Sequence, residues 1–224
     1  MNSARDRILS RLHSAPKTSD IVENENKLPP NQISEAEKIE RLKELMEGMR
    51  TEVHVVRGDG WVDALGEILR TKGLSNLLYA PGTGVGSVLE KHWGKSGDGD
   101  GNLPQLISFD QTIEDFKERL FGVDAAITTS RGAIADAGAI ILWPDEHEPR
   151  TMSLVPPVHF VVLDAHTIYQ DLSEAMEKQN WHEAMPTNAL LISGPSKTAD
   201  IELILAFGVH GPKELVVLIR SEEP

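Results

Sequence analysis

The chain has 224 residues, 40% of them hydrophobic, with 35 acidic against 22 basic side chains, a net charge of −13 and no cysteine. Such a length fills one large core or two small ones, and the negative balance disfavours nucleic acid and acidic membranes as partners. The lack of cysteine excludes disulfides, a thiol nucleophile and a thiolate-ligated iron–sulfur cluster on this chain.

In chain order, the first segment is basic. Residues 1–17 hold Arg5, Arg7, Arg11 and Lys17 against Asp6, a balance of +3 that leaves −16 for the remainder. Ala4, Ile8 and Leu12 share one helical face, which predicts a short helix docking on the body or on a partner subunit; a transit peptide is the rival reading. Residues 15–32 are polar, carry Pro16, Pro29 and Pro30, and read as an arm. Residues 1–32 are thus a helix and arm, and residues 33–224 a single α/β domain. No secretory apolar region and no run near the ~18 residues of a membrane span is present, so a cytoplasmic location is expected.

The body opens with Ser34 and Glu37, the spacing of a capping box, ahead of a helical stripe of Ile39, Leu42, Leu45, Met46 and Met49. Residues 53–56 read as a strand, 61–69 as a helix and 77–80 as a strand. Residues 85–93 and 113–120 are helical, with a weak strand at 106–109 between them. Residues 123–128, 139–143 and 158–163 are nearly continuous apolar runs, as strands covered on both faces should be. Ile168, Leu172, Ala175 and Met176 mark a helix. The end of the chain reads as a strand at 189–192 buried on both faces, a helix at 201–206 and a strand at 215–219. Strands alternating with helices predict a mostly parallel, helix-covered sheet, with one local antiparallel pair around residues 130–138.

Several stretches could carry chemistry. Residues 81–87 place Gly82, Gly84 and Gly86 between a strand and a helix. The spacing is not the dinucleotide fingerprint, and no lysine completes a Walker loop. A tight turn or a ligand contact through free amides at Gly84 and Gly86 remains. Residues 98–102 resemble the start of a calcium loop but lack its glycine hinge and its final glutamate, so they read as a surface turn. The run Asp145-Glu146-His147-Glu148 reads as a solvated loop, and no metal site is expected. Thr129, Asp136 and Gly138 bracket a small-residue loop that is either a strand crossing or a site wall. His159, inside an apolar strand, reads as a hydrogen-bonded core histidine more than a catalytic one. Gly194, Ser196, Lys197 and Thr198 follow the 189–192 strand, where open α/β sheets place ligands. Donors here suit a small carboxylate or phosphate, or else simply cap a helix. His210 is the candidate catalytic acid/base, and Asp200 is the catalytic carboxylate expected to face the pocket.

The order of these residues is also familiar. SGPSKTADIE (193–202) followed by GVHGP (208–212) resembles the LUD-domain family, of the lactate-utilisation protein C type. AIADAGAI (133–140), SLVPPVH (153–159) and RDRILSRL (5–12) match in the same order. The family usually has Glu-Thr where this chain has Asp136-Ala137. The resemblance implies a fold like that of ribose-5-phosphate isomerase A and the CoA transferases. It also implies a part in oxidising L-lactate to pyruvate beside iron–sulfur proteins that carry the electrons, with no cluster on this chain. Two alternatives stand: a non-catalytic assembly or binding subunit of that system, or an isomerase or transferase acting on a phosphorylated sugar or an acyl-CoA. A homo-oligomer formed through the N-terminal arm is a further expectation.

Overall fold

A computed structural model describes residues 4–14, 33–94, 103–199, 205–208 and 210–222. The chain falls into two units, residues 1–32 and 33–224. The first contains helix α1 (Ala4–Ser14). The second begins with α2 (Glu35–Gly48), whose capping box is present: the Glu37 amide donates to Ser34 Oγ at 3.3 Å, and the Ser34 amide donates to the Glu37 carboxylate at 2.7 Å. There follow β1 (Glu52–Arg57), α3 (Trp61–Thr71), β2 (Asn76–Tyr79), α4 (Gly84–Trp93), β3 (Gln105–Ser108), α5 (Ile113–Leu120) and β4 (Ala125–Thr129). Next come β5 (Gly132–Ile134), β6 (Ala139–Leu142), α6 (Arg150–Leu154), β7 (Val158–Asp164), β8 (Ile168–Tyr169) and α7 (Leu172–Lys178). The last strands are β9 (Leu190–Ile192), β10 (Lys197–Ala199), β11 (Leu205–Phe207) and β12 (Glu214–Ser221).

Six strands form a parallel sheet in the order β1-β12-β7-β4-β2-β3. Side chains alternate across a strand, so each central strand feeds two cores. Phe160, Val216, Leu218 and Ile127 meet Trp61, Leu65 and Leu69 of α3 and Leu89 of α4 on one face. On the other, Val161, Leu163, Val217 and Ile219 meet Leu42 and Met46 of α2 together with Ala133, Ile140 and Leu142 of a second sheet. Phe116, Leu120 and Met152 extend that cover over Leu78, Ile107 and Ala126. This double cover explains why residues 158–163 are apolar at almost every position.

The α/β class and the mostly parallel sheet agree with the pattern in the sequence, and so does the antiparallel pair, β5 with β6. Three readings are corrected. The strands β5, β6, β8 and β9 leave the parallel sheet for a four-stranded sheet ordered β8-β5-β6-β9. β9 lies at its edge, so Leu191 is 50% exposed instead of buried on both faces. Of the helix expected at 201–206, residues 205 and 206 lie instead in strand β11, where Lys197 pairs antiparallel with Phe207 and Ala199 with Leu205, and residues 201–204 lie outside the described residues. Short apolar runs do not separate helix from strand, and here long-range bonds decide: the Ser196 amide donates to the Pro212 carbonyl (2.8 Å) and the Gly208 amide to the Ser196 carbonyl (3.0 Å), clamping the two limbs together.

Candidate functional site

A cavity of about 190 Å³ opens where five segments meet. The end of α6 supplies Ser153 and Leu154, the start of β7 supplies His159, and the start of β12 supplies Leu215. The turn after β9 adds Gly194 and Ser196, and the chain entering β12 adds His210, Gly211 and Pro212. The strands β7 and β12 point away from it, because His159 and Leu215 are each the second residue of their strand and are paired in register. The cavity therefore lies at the amino edge of the large sheet. Open parallel sheets place ligands at the opposite edge; of the strands around this cavity, only the short β9 of the small sheet ends toward it.

Local chemistry builds the walls. Gly194 has no room for a side chain, since a Cβ there would lie 2.9 Å from the Met49 carbonyl oxygen. A Cβ on Gly211 would lie 3.1 Å from that of Ser196. The Ser196 amide is committed to Pro212, so it is not a free donor at a helix start, but no described residue takes the Ser196 hydroxyl. Ser153 is buried and its hydroxyl donates to the Arg150 carbonyl at 2.9 Å. His210 is exposed at the rim. Lys197 is exposed at the start of β10 and does not line the cavity. Thr198 lies in β10, and Asp200 lies outside the described residues.

His159 is the residue that the sequence undervalues. It is fully buried, its Nε2 lies 2.9 Å from Thr128 Oγ1, and its Nδ1 is buried with no partner. Burial pushes its pKa down to about 3, so the ring is neutral near pH 7. A signal was present: His159 interrupts an apolar run directly after Pro156-Pro157, and a polar residue there needs a partner.

The other candidate residues sit elsewhere, and none of Gly84, Gly86, Thr129, Asp136 and Gly138 lines this cavity. Gly84 starts α4, and the Gly86 amide donates to Oγ1 of the capping Thr83 at 3.0 Å. Thr129 is taken up by Glu148: its amide donates at 3.0 Å and its hydroxyl at 2.6 Å to the carboxylate. Burial pushes the Glu148 carboxyl above its usual range, opposed by these Thr129 bonds. Asp136 pairs with Arg41 of α2 at 2.8 Å, and Gly138 (φ +57°) packs against Leu45 one turn further on. Gly194 against Met49 continues this stripe, so a single face of α2 carries Asp136, Gly138 and the cavity turn. In the 145–148 run, Asp145 accepts from the His147 and Glu148 amides at 2.8 Å each. Among the described residues no cluster of three or more His, Asp or Glu is arranged to hold a metal. Residues 98–102 lie outside the described residues. No helix among the described residues is long and apolar enough to cross a membrane.

Comparison with known proteins agrees with this architecture. An uncharacterized protein of Neisseria meningitidis serogroup B is 35% identical over 96% of this chain and 93% of its own length. Lactate utilization protein C 1 of Bacillus mycoides is 26% identical over 85% of this chain and 82% of its own. The crystal structure of a DUF162 family protein from Deinococcus radiodurans superposes with a TM-score of 0.59, covering 84% of this chain and 99% of that one at 19% identity, a likeness of fold. The LUD domain family matches residues 39–219, and the chain belongs to it.

Proposed function

We propose that this protein serves lactate utilization by binding a small carboxylate, such as lactate or pyruvate, in the cavity beside Ser196 and His210, and that it works beside iron–sulfur proteins that carry the electrons. The observation behind this reading is the cavity itself: two imidazoles and two serines face a space of about 190 Å³ whose remaining wall includes Leu154, Ile192 and Leu215. Pockets for drug-sized ligands run to roughly 300–1,000 Å³, so this one suits a molecule of few atoms. Relatives named lactate utilization protein C supply the pathway. The division of labour is what the family resemblance implies, and a chain with no cysteine for a cluster agrees with it.

Calorimetry on the full chain with L-lactate, pyruvate, oxalate and inorganic phosphate tests the reading. A carboxylate is expected to bind, with affinity reduced roughly 5- to 10-fold by Ser196→Ala, the worth of one neutral hydrogen bond. Absence of carboxylate binding at millimolar concentrations would overturn it. Preference for phosphate would favour an isomerase or transferase instead, and lactate oxidation by the isolated chain would remove the need for redox partners.

A role in assembly falls to the basic first helix. Residues 1–17 are positive while the remainder is strongly negative, and a helix as short as α1 is marginal alone. Deleting residues 1–30 is expected to lower the number of chains per particle in solution or weaken partner binding, the more so at low salt. An unchanged oligomeric state and undiminished partner affinity would leave the segment without such a role.

A further inference from the structure

His159 borders the cavity, and its Nδ1 is a buried polar atom that the fold leaves without a partner. The side of the ring that is satisfied fixes the other. Thr128 Oγ1 lies 2.9 Å from Nε2, and among the described residues the Thr128 hydroxyl has no other acceptor. With the ring proton on Nε2, both the Thr128 hydroxyl proton and Nδ1 would lack a partner among the described residues; with it on Nδ1, Thr128 donates to Nε2 and one group is unmet, so the geometry favours the Nδ1–H tautomer. In that tautomer Nδ1–H is a buried donor without a partner on a residue that lines the cavity, and an unmet donor in such a place is costly unless something accepts from it.

We propose that His159 is a ligand-recognition residue of this cavity, its Nδ1–H donating to a carboxylate, keto or hydroxyl oxygen of a small 2-hydroxy or 2-oxo acid. This rests on the carboxylate reading above and adds the residue that would select for a polar atom at the deep end. With Ser196 on the turn and His210 at the rim, the cavity then offers donors at both ends, while Leu154, Ile192 and Leu215 leave room for a short carbon chain between them. The ring has no exposed surface, so contact requires neighbouring side chains to yield; Leu154 and Ile192, only partly buried, are the ones placed to do so. Because burial holds the ring neutral down to a pKa of about 3, the donor is a neutral N–H and leaves the ligand's charge in place.

The test uses the full chain labelled with ¹⁵N at histidine. The ring nitrogens of His159 are expected to report the Nδ1–H tautomer and to shift when L-lactate or pyruvate is added. His159→Phe should weaken binding roughly 10- to 100-fold, the range for a hydrogen bond to a charged group. His159→Gln, which keeps an amide donor, should lose less. A ring protonated at Nε2 would overturn the proposal. So would a carboxylate that binds in a Ser196-sensitive way yet leaves the His159 resonances unmoved; the ring is then a packing residue whose Nδ1 meets a buried water. Absence of any carboxylate binding would overturn both this and the broader reading.

Discussion

Lowering the pH from 7 to 4 is expected to cost the folded protein roughly 3 kcal/mol through His159 alone, as follows from moving an imidazole pKa from 6.5 to about 3. The cause is desolvation: an imidazolium in this fully buried position would lose its water and gain no counter-charge. Below pH 6.5 the unfolded chain takes up a proton at this site and the folded chain does not, so stability falls with pH until about 3, where the folded form also protonates. Glu148 works the other way, because a carboxyl raised by burial binds its proton more readily in the folded state. Urea titrations of the wild type and of His159→Gln at pH 7, 5.5 and 4 separate the two. The wild type should lose more stability than the variant over this range. Parallel losses in both proteins would show that His159 does not carry the effect.

The second large effect concerns glycines that resemble a phosphate loop. Gly86→Ala is expected to destabilise the protein by about 3 kcal/mol, the upper range for forcing extra atoms into a packed interior. A Cβ on Gly86 would lie 2.0 Å from the Ala80 carbonyl oxygen and 2.8 Å from its carbon, and backbone cannot step aside as a flexible side chain can. Gly84→Ala is the control. Nothing lies within 4 Å of a Cβ at Gly84, its φ is not positive, and alanine improves helix propensity by up to about 1 kcal/mol. Thermal melts of the two variants should therefore diverge sharply, with Gly84→Ala close to the wild type. Equal destabilisation would mean that the glycines serve backbone flexibility rather than close packing of α4 on the end of β2.

Much of the fold was legible because the signals are local. The Ser34–Glu37 capping box sits where the sequence puts it, and the stripe of Trp61, Val62, Leu65, Ile68 and Leu69 is the buried face of α3. The apolar run at 158–163 is a central strand feeding two cores. Where the reading failed, distant chain decided. Residues 205–207 carry apolar side chains that suit a helix as well as a strand, and the clamp from Ser196 to Gly208 and Pro212 makes them a strand. Gly86 reads as a free amide and Thr129 as part of a strand crossing or site wall, yet their partners are Thr83 and Glu148, the latter 19 residues away in sequence.

By itself, then, the sequence determined the α/β class, the positions of most helices and strands, the family, and the absence of any thiol chemistry. These depend on composition, on motif order and on periods of 2 and 3.6 residues, all of which are read along the chain. Tertiary structure alone decided that β5, β6, β8 and β9 form a separate sheet, and that the Gly194–Ser196 turn faces the amino edge of the large one. It also decided that His159, an apparent core residue, stands beside Ser153, Ser196 and His210. The reason is that strand order and register are set by hydrogen bonds and burial between segments far apart in sequence, and a cavity exists only where such segments converge.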